Sequence, residues 1–122
     1  MVKVLVADDD LDSHELLSDI LQINFQDVQV DRALNSSSFV AKVMESQTQY
    51  DLILFSVDID EEPQKIVQQI QSQFPDILNR TVLMVGADQS SLNSELLQKL
   101  PRVSKPFSLD HFAEIIRKIC VE

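Results

Sequence analysis

Apolar and polar positions along this chain change period several times, and each change marks an element. Val2, Val4, Leu5 and Val6 form a short β-branched run that stops at Asp8-Asp9-Asp10, which predicts a buried strand. From Asp12 the spacing turns helical, with Leu16, Leu17, Ile20 and Leu21 on one face and Asp12 or Ser13 as the N-cap. Val28, Val30 and Ala33 alternate as a second, weaker strand, and Asn35 with Ser36-Ser37-Ser38 caps a helix carrying Phe39, Val40, Val43 and Met44. Leu52-Ile53-Leu54-Phe55 is apolar on both faces and therefore predicts a central strand. Pro63 opens a helix with Ile66, Val67 and Ile70, which Pro75 stops. Thr81 to Val85 reads as a fourth strand ending at Gly86, followed by a helix through Leu92, Leu96, Leu97 and Leu100 that Pro101 closes. A short fifth strand around Arg102 and Val103 leads to Lys105-Pro106, and Ser108 caps a last helix through Phe112, Ile116 and Cys120.

Strands separated by helical crossovers imply an α/β fold: a five-stranded parallel sheet with helices on both faces. The expected unit is one domain over residues 1–122, a length typical of single domains. Hydrophobic residues make up 44% and charged residues 25%, which excludes a disordered tail. No apolar run approaches the roughly 18 residues of a membrane span, and the first strand meets Asp8 too soon for a signal peptide. A single cysteine, Cys120, permits no internal disulfide, which fits a reducing cytoplasm. Ten basic against twenty acidic residues give a net charge of −10. Such a surface repels nucleic acid and anionic membrane, so neither is expected as a partner of this domain alone.

In doubly wound sheets ligands gather at the carboxyl ends of the strands. Just past those ends lie Asp8, Asp9 and Asp10, then Ser56 and Asp58, then Gly86, then Lys105 with Pro106. Carboxylates of this kind suit Mg²⁺, and a nearby lysine grips a phosphoryl group as a point charge or neutralises the acids. The bland alternative is an acidic loop paired with Lys105, its aspartates serving as solvated helix caps.

Here the chain resembles the receiver domain of two-component response regulators, a flavodoxin-like (βα)5 fold. The resemblance rests on Val4-Leu5-Val6-Ala7 ending in Asp8-Asp9, on Tyr50 to Phe55, on Val82-Leu83-Met84-Val85 and on Ser104-Lys105-Pro106-Phe107, in order and in register. In that family a histidine kinase donates phosphate to an aspartate at the end of the third strand. The resemblance implies that Asp8 and Asp9 hold Mg²⁺ and that Lys105 contacts the phosphoryl oxygens. It also exposes departures. The acceptor position falls on Ser56, the hydroxyl switch position on Gly86, and the aromatic switch position on Arg102.

An aspartate is already anionic at neutral pH and attacks phosphorus without a base, whereas a serine hydroxyl needs one. His14 and His111 fall inside helices and read as ordinary, partly exposed side chains. Losing the acceptor carboxylate also weakens the metal site. Asp58 offers a way round: on a strand that stays extended it shares a face with Ser56, and would serve as a metal ligand, a Lys105 partner or a displaced acceptor. On the last helix Leu109, Phe112, Ala113, Ile116 and Cys120 make one apolar stripe that Ile115 and Ile119 extend. Either the whole arc packs on the sheet, or Ile115 and Ile119 join Arg102 in a partner or homodimer patch, the face that receivers commonly use.

The leading expectation is a non-enzymatic pseudo-receiver that contacts a kinase, an output domain or another regulator without aspartyl phosphorylation. A phosphoryl-accepting receiver using Asp58 is the alternative. A flavodoxin-type cofactor carrier is remote, because three carboxylates stand where a phosphate-cradling loop would be needed.

Overall fold

A computed structural model describes residues 2–45, 50–59, 62–85, 99–104, 112–115 and 117. Strands β1 (Val2–Ala7), β2 (Val28–Ala33), β3 (Leu52–Ser56), β4 (Thr81–Val85) and β5 (Arg102–Ser104) form one parallel sheet in the order β2-β1-β3-β4-β5. Helices α1 (Leu11–Asn24), α2 (Ser36–Glu45) and α3 (Pro63–Gln73) lie between them, and residues 112–115 and 117 are helical. The expected helix at Leu92, Leu96 and Leu97 lies outside the described residues, although Leu100 at its end is buried.

Residue alternation divides the interior into two layers. Val4, Val6, Leu52, Leu54, Val82 and Met84 face α1 and Phe112, meeting Leu17, Ile20 and Leu21. Leu5, Ala7, Ile53, Phe55, Leu83 and Val85 face the other way, toward Phe39 and Val43 of α2 and Val67 and Ile70 of α3. Each large aliphatic or aromatic side chain buried this way contributes about 1.5–3 kcal/mol. β3 and β4 are buried along their whole length, as their continuous apolar runs require, whereas β2 is a half-exposed edge strand. That position accounts for its weaker pattern.

Side chains set most helix starts. The cap of α1 is Asp10, rather than the expected Asp12 or Ser13: its extended backbone lets one carboxylate oxygen accept from the Asp12 N–H at 3.0 Å and the other from Ser13 Oγ at 3.4 Å. Asn35 caps α2, its Oδ1 accepting from the Ser38 N–H at 2.7 Å. Pro63 opens α3 at a position where its missing N–H costs nothing. The helix ends at Gln73, and Pro75–Arg80 forms a 3₁₀ segment that the apolar pattern did not announce.

Near the amino ends of β1 and β3, polar groups tie these two strands to β2. The Lys3 N–H donates to Asp51 Oδ2 at 2.8 Å, and the Asp51 N–H returns to the Lys3 carbonyl at 2.8 Å. Tyr50 Oη donates to Asp31 Oδ2 at 2.7 Å, while Lys3 Nζ lies 4.8 Å from the centre of the Tyr50 ring. Burial works to raise the Asp31 carboxyl, yet hydrogen bonds from Tyr50 and Gln29 and the charges of Lys42 and Lys3 hold it below its usual value. Burial and the Asp31 carboxylate together push the Tyr50 phenol above its usual range.

Candidate functional site at the carboxyl ends of the strands

Register brings the first two site segments level. Ala7 pairs with Phe55, so Asp8 and Ser56 leave neighbouring strands at the same height on the rim. β1 and β3 are also where the strand order reverses, since the chain goes outward to β2 and then crosses back to β3.

The three consecutive acids have three different jobs. Asp8 is fully buried. Its N–H donates to the Ala33 carbonyl at 3.0 Å, its Oδ1 accepts from the Asp10 N–H at 3.0 Å, and its carbonyl accepts from His14 Nε2 at 2.7 Å. Asp9 is exposed, and Asp10 is the α1 cap. The alternative of aspartates acting as caps therefore describes Asp10. Asp9 is the solvent-facing carboxylate of the Asp8–Asp9 pair.

His14 differs from its expected place. Rather than partly exposed, it is fully buried at the first turn of α1. A carbonyl oxygen only accepts, so Nε2 carries a proton and donates it to Asp8. Nδ1 is the one shielded side-chain polar atom without a hydrogen-bond partner among the described residues.

Ser56 is fully buried at the last position of β3, and its Oγ accepts from the Asp58 N–H at 3.3 Å. The strand stops there. Val57–Ile59 forms a 3₁₀ turn, so the expected extended geometry, with Ser56 and Asp58 on one face, does not hold. The turn rises about 2 Å per residue instead of about 3.3 Å, which shortens the step from Ser56 to Asp58, and Asp58 is exposed. The Ser56 hydroxyl, accepting from a backbone donor two residues on, closes the start of this turn.

Among the described residues no group of three or more Asp, Glu, His or Cys gathers as a metal cluster. Arg102 opens β5 opposite Leu83 and is half-buried. Ile115 is also half-buried, packed against the α1-side core. Lys105, Gly86, His111, Ile116, Ile119 and Cys120 lie outside the described residues. Leu16, which the periodicity assigns to the core, is instead exposed, as are Leu11, Ile23 and Leu34. The core direction of α1 is set by Leu17, Ile20 and Leu21, and Leu16 falls beyond the edge of that arc.

No family model matches this chain, and no curated protein matches it significantly. Solved structures do. A response regulator receiver domain protein from Clostridium thermocellum superposes with a TM-score of 0.79 at 17% identity, covering 98% of this chain and 94% of that one. The signal receiver domain of the DNA-binding response regulator merR from Colwellia psychrerythraea 34H gives 0.78 at 16%, covering 100% of both. The chemotaxis response regulator CheY4 of Vibrio cholerae gives 0.78 at 18%, covering 98% of each. At such identities the likeness establishes the fold, a CheY-like receiver architecture over essentially the whole chain.

Proposed function

We propose that this chain is a receiver-like module of two-component signalling that acts through protein contacts and not through aspartyl phosphorylation. The observation that carries the reading is Ser56. A buried hydroxyl stands at the end of β3, already accepting the Asp58 N–H, where receiver chemistry calls for an anionic oxygen. With no carboxylate at that position, transfer from a phosphohistidine lacks its nucleophile. The module then responds to partners by a shift between conformations that each partner binds differently. Its reading as non-enzymatic and cytoplasmic goes with that role. Among the described residues no helix is long and apolar enough to cross a membrane.

Partner classes follow from the fold likeness: a histidine kinase, an output domain or a further regulator. The Brucella abortus NtrX structure matches 98% of this chain, and the match takes in 26% of that longer protein. A homodimer through the last helix and Arg102 belongs to the same proposal. Mg²⁺ would rest chiefly on Asp9, since Asp8 is shielded and gives one oxygen to the Asp10 N–H. The role of Lys105 toward a phosphoryl group is likewise proposed.

The test is mass spectrometry after incubation with acetyl phosphate and Mg²⁺. The unmodified mass supports the reading, and a hydroxylamine-labile adduct overturns it. A second reading, phosphoryl acceptance at Asp58 with Asp8 and Asp9, draws on the exposure of Asp58 at the turn. It requires such an adduct to vanish in Asp58→Ala.

A further inference from the structure

We propose that the outer edge of β2 pairs with the same edge of a second copy of this chain, joining the two sheets antiparallel across a two-fold axis at Val30. Among the described residues β2 pairs with β1 alone, so one long side of a six-residue strand has no strand beside it. The hydrogen bonds at the two ends of the β1–β2 ladder fix which groups point outward. The Val2 N–H donates to the Asp27 carbonyl and the Asp8 N–H to the Ala33 carbonyl, each at 3.0 Å. Alternation along a parallel ladder then turns the backbone groups of Gln29, Asp31 and Ala33 toward β1, and those of Val28, Val30 and Arg32 away from it.

Those three outward residues limit how two copies can meet. In an antiparallel pair, residues whose backbone groups point at one another stand directly opposite and exchange two hydrogen bonds. Alignment about Val30 sets Val30 against the partner's Val30 and Val28 against the partner's Arg32, which uses all three outward residues for about six bonds between chains. Gln29 then falls opposite the partner's Asp31 at the closer spacing, about 4.5 Å between Cα atoms. Amide meets carboxylate there, a match already made within the chain by Gln29 Nε2, which donates to Asp31 Oδ1 at 3.2 Å. Other registers lose this fit. Centring on Asp31 sets carboxylate against carboxylate, centring on Arg32 sets guanidinium against guanidinium, and centring on Gln29 leaves Arg32 beyond the end of the partner strand.

The α1-side core is open at the same edge. Val28 and Val30 pack on that core yet stay half-buried, as does Val2 beside Val28. Pairing about Val30 continues this apolar row into the second copy and covers area that the single chain leaves exposed. Against it stands the net charge of −10 on each copy. The dimer is therefore weak at low ionic strength and tightens as salt screens the repulsion, the reverse of a contact built on opposite charges. β2 and β5 are opposite edges of the sheet, so this contact is separate from Arg102. It does not involve Ser56 either, so this inference and the phosphate-blind reading can each fail alone.

The test is analytical ultracentrifugation of the full chain over a concentration series at low and high salt. We expect a monomer–dimer equilibrium that moves toward dimer as salt rises. Val30→Pro deletes an outward N–H while leaving the β1 ladder its bonds, a change that edge strands tolerate, and is expected to be monomeric. Gln29→Glu opposes two pairs of carboxylates in the dimer and is expected to weaken it about tenfold, whereas Gln29→Lys is expected to strengthen it. Gln73→Lys, the same charge change at an exposed position of α3, should have a smaller effect. Gln29 is exposed, so both of its variants should keep the parent circular dichroism and decide the matter even if Val30→Pro does not fold. The proposal is overturned if the chain stays monomeric at high concentration and high salt, or if a folded Val30→Pro assembles as the parent does. It fails equally if the two Gln29 variants shift the equilibrium in the same direction, or if Gln73→Lys matches Gln29→Lys.

Discussion

His14 Nε2 donates to the carbonyl of Asp8 at 2.7 Å, locking the first turn of α1 to the loop that leaves β1. Both residues are fully buried, so the bond is made where water does not compete. His14→Ala would leave the carbonyl unpaired and open a cavity beside it. We expect a loss of about 2–4 kcal/mol in denaturant unfolding. Nitrogen NMR of the wild-type ring should report the tautomer protonated at Nε2. The opposite tautomer would contradict the geometry.

Ser56→Ala separates a structural hydroxyl from a chemical one. Removing Oγ deprives the Asp58 N–H of its acceptor at the start of the 3₁₀ turn. The expected cost is about 1 kcal/mol, because the turn is near enough to solvent for water to replace part of the bond. The response to acetyl phosphate should match that of the parent chain.

Asp31 and Tyr50 make stability depend on pH at both extremes. The Asp31 carboxyl is held below its ordinary value of 3.8. Its ionised form therefore contributes stability that is complete above 3.8 and is lost as pH falls through the lower folded value. The Tyr50 phenol is held above its ordinary value of 10.0, so its protonated form contributes stability that is complete below pH 10 and is lost as pH rises through the higher folded value. Tyr50→Phe should cost about 1 kcal/mol at neutral pH, a modest figure because Asp31 is half-exposed and screened. The acid limb of a pH–stability profile should also become shallower. An unchanged acid limb would show that the bond carries no linkage.

Phe55 anchors the layer beneath α2 and α3, with its ring centre 5.1 Å from that of Phe39 and the planes inclined at 53°. Phe55→Ala should cost about 3–5 kcal/mol by chemical denaturation. Retention of full stability would mean the neighbouring side chains collapse into the space.

Asp10→Ala removes the cap of α1 and should cost about 1 kcal/mol in thermal unfolding. Because Asp10 also holds Ser13 Oγ, the amides of the first α1 turn should exchange faster than those of α2.

Local order alone determined the strand-and-helix alternation. Runs such as Leu52 to Phe55 and Thr81 to Val85 can be satisfied only by burial on both faces, which already implies a parallel sheet between helices. The same order put Asp8, Asp9, Ser56 and Asp58 at strand ends, because side-chain chemistry changes abruptly where a core strand stops. Three-dimensional packing decided the rest. Which of three adjacent aspartates is buried depends on β1 lying between β2 and β3, with the Ala33 carbonyl supplying a partner to Asp8. The burial of His14 needed a carbonyl six residues earlier in the chain, which helical periodicity does not register. The turn after Ser56 is a contest between continuing the strand and closing a side-chain hydrogen bond, and alternation of polarity records only the first of these. The exposure of Leu16 and Ile23 was settled by the direction in which α1 meets the sheet. An amphipathic pattern fixes that direction only to within the width of its apolar arc.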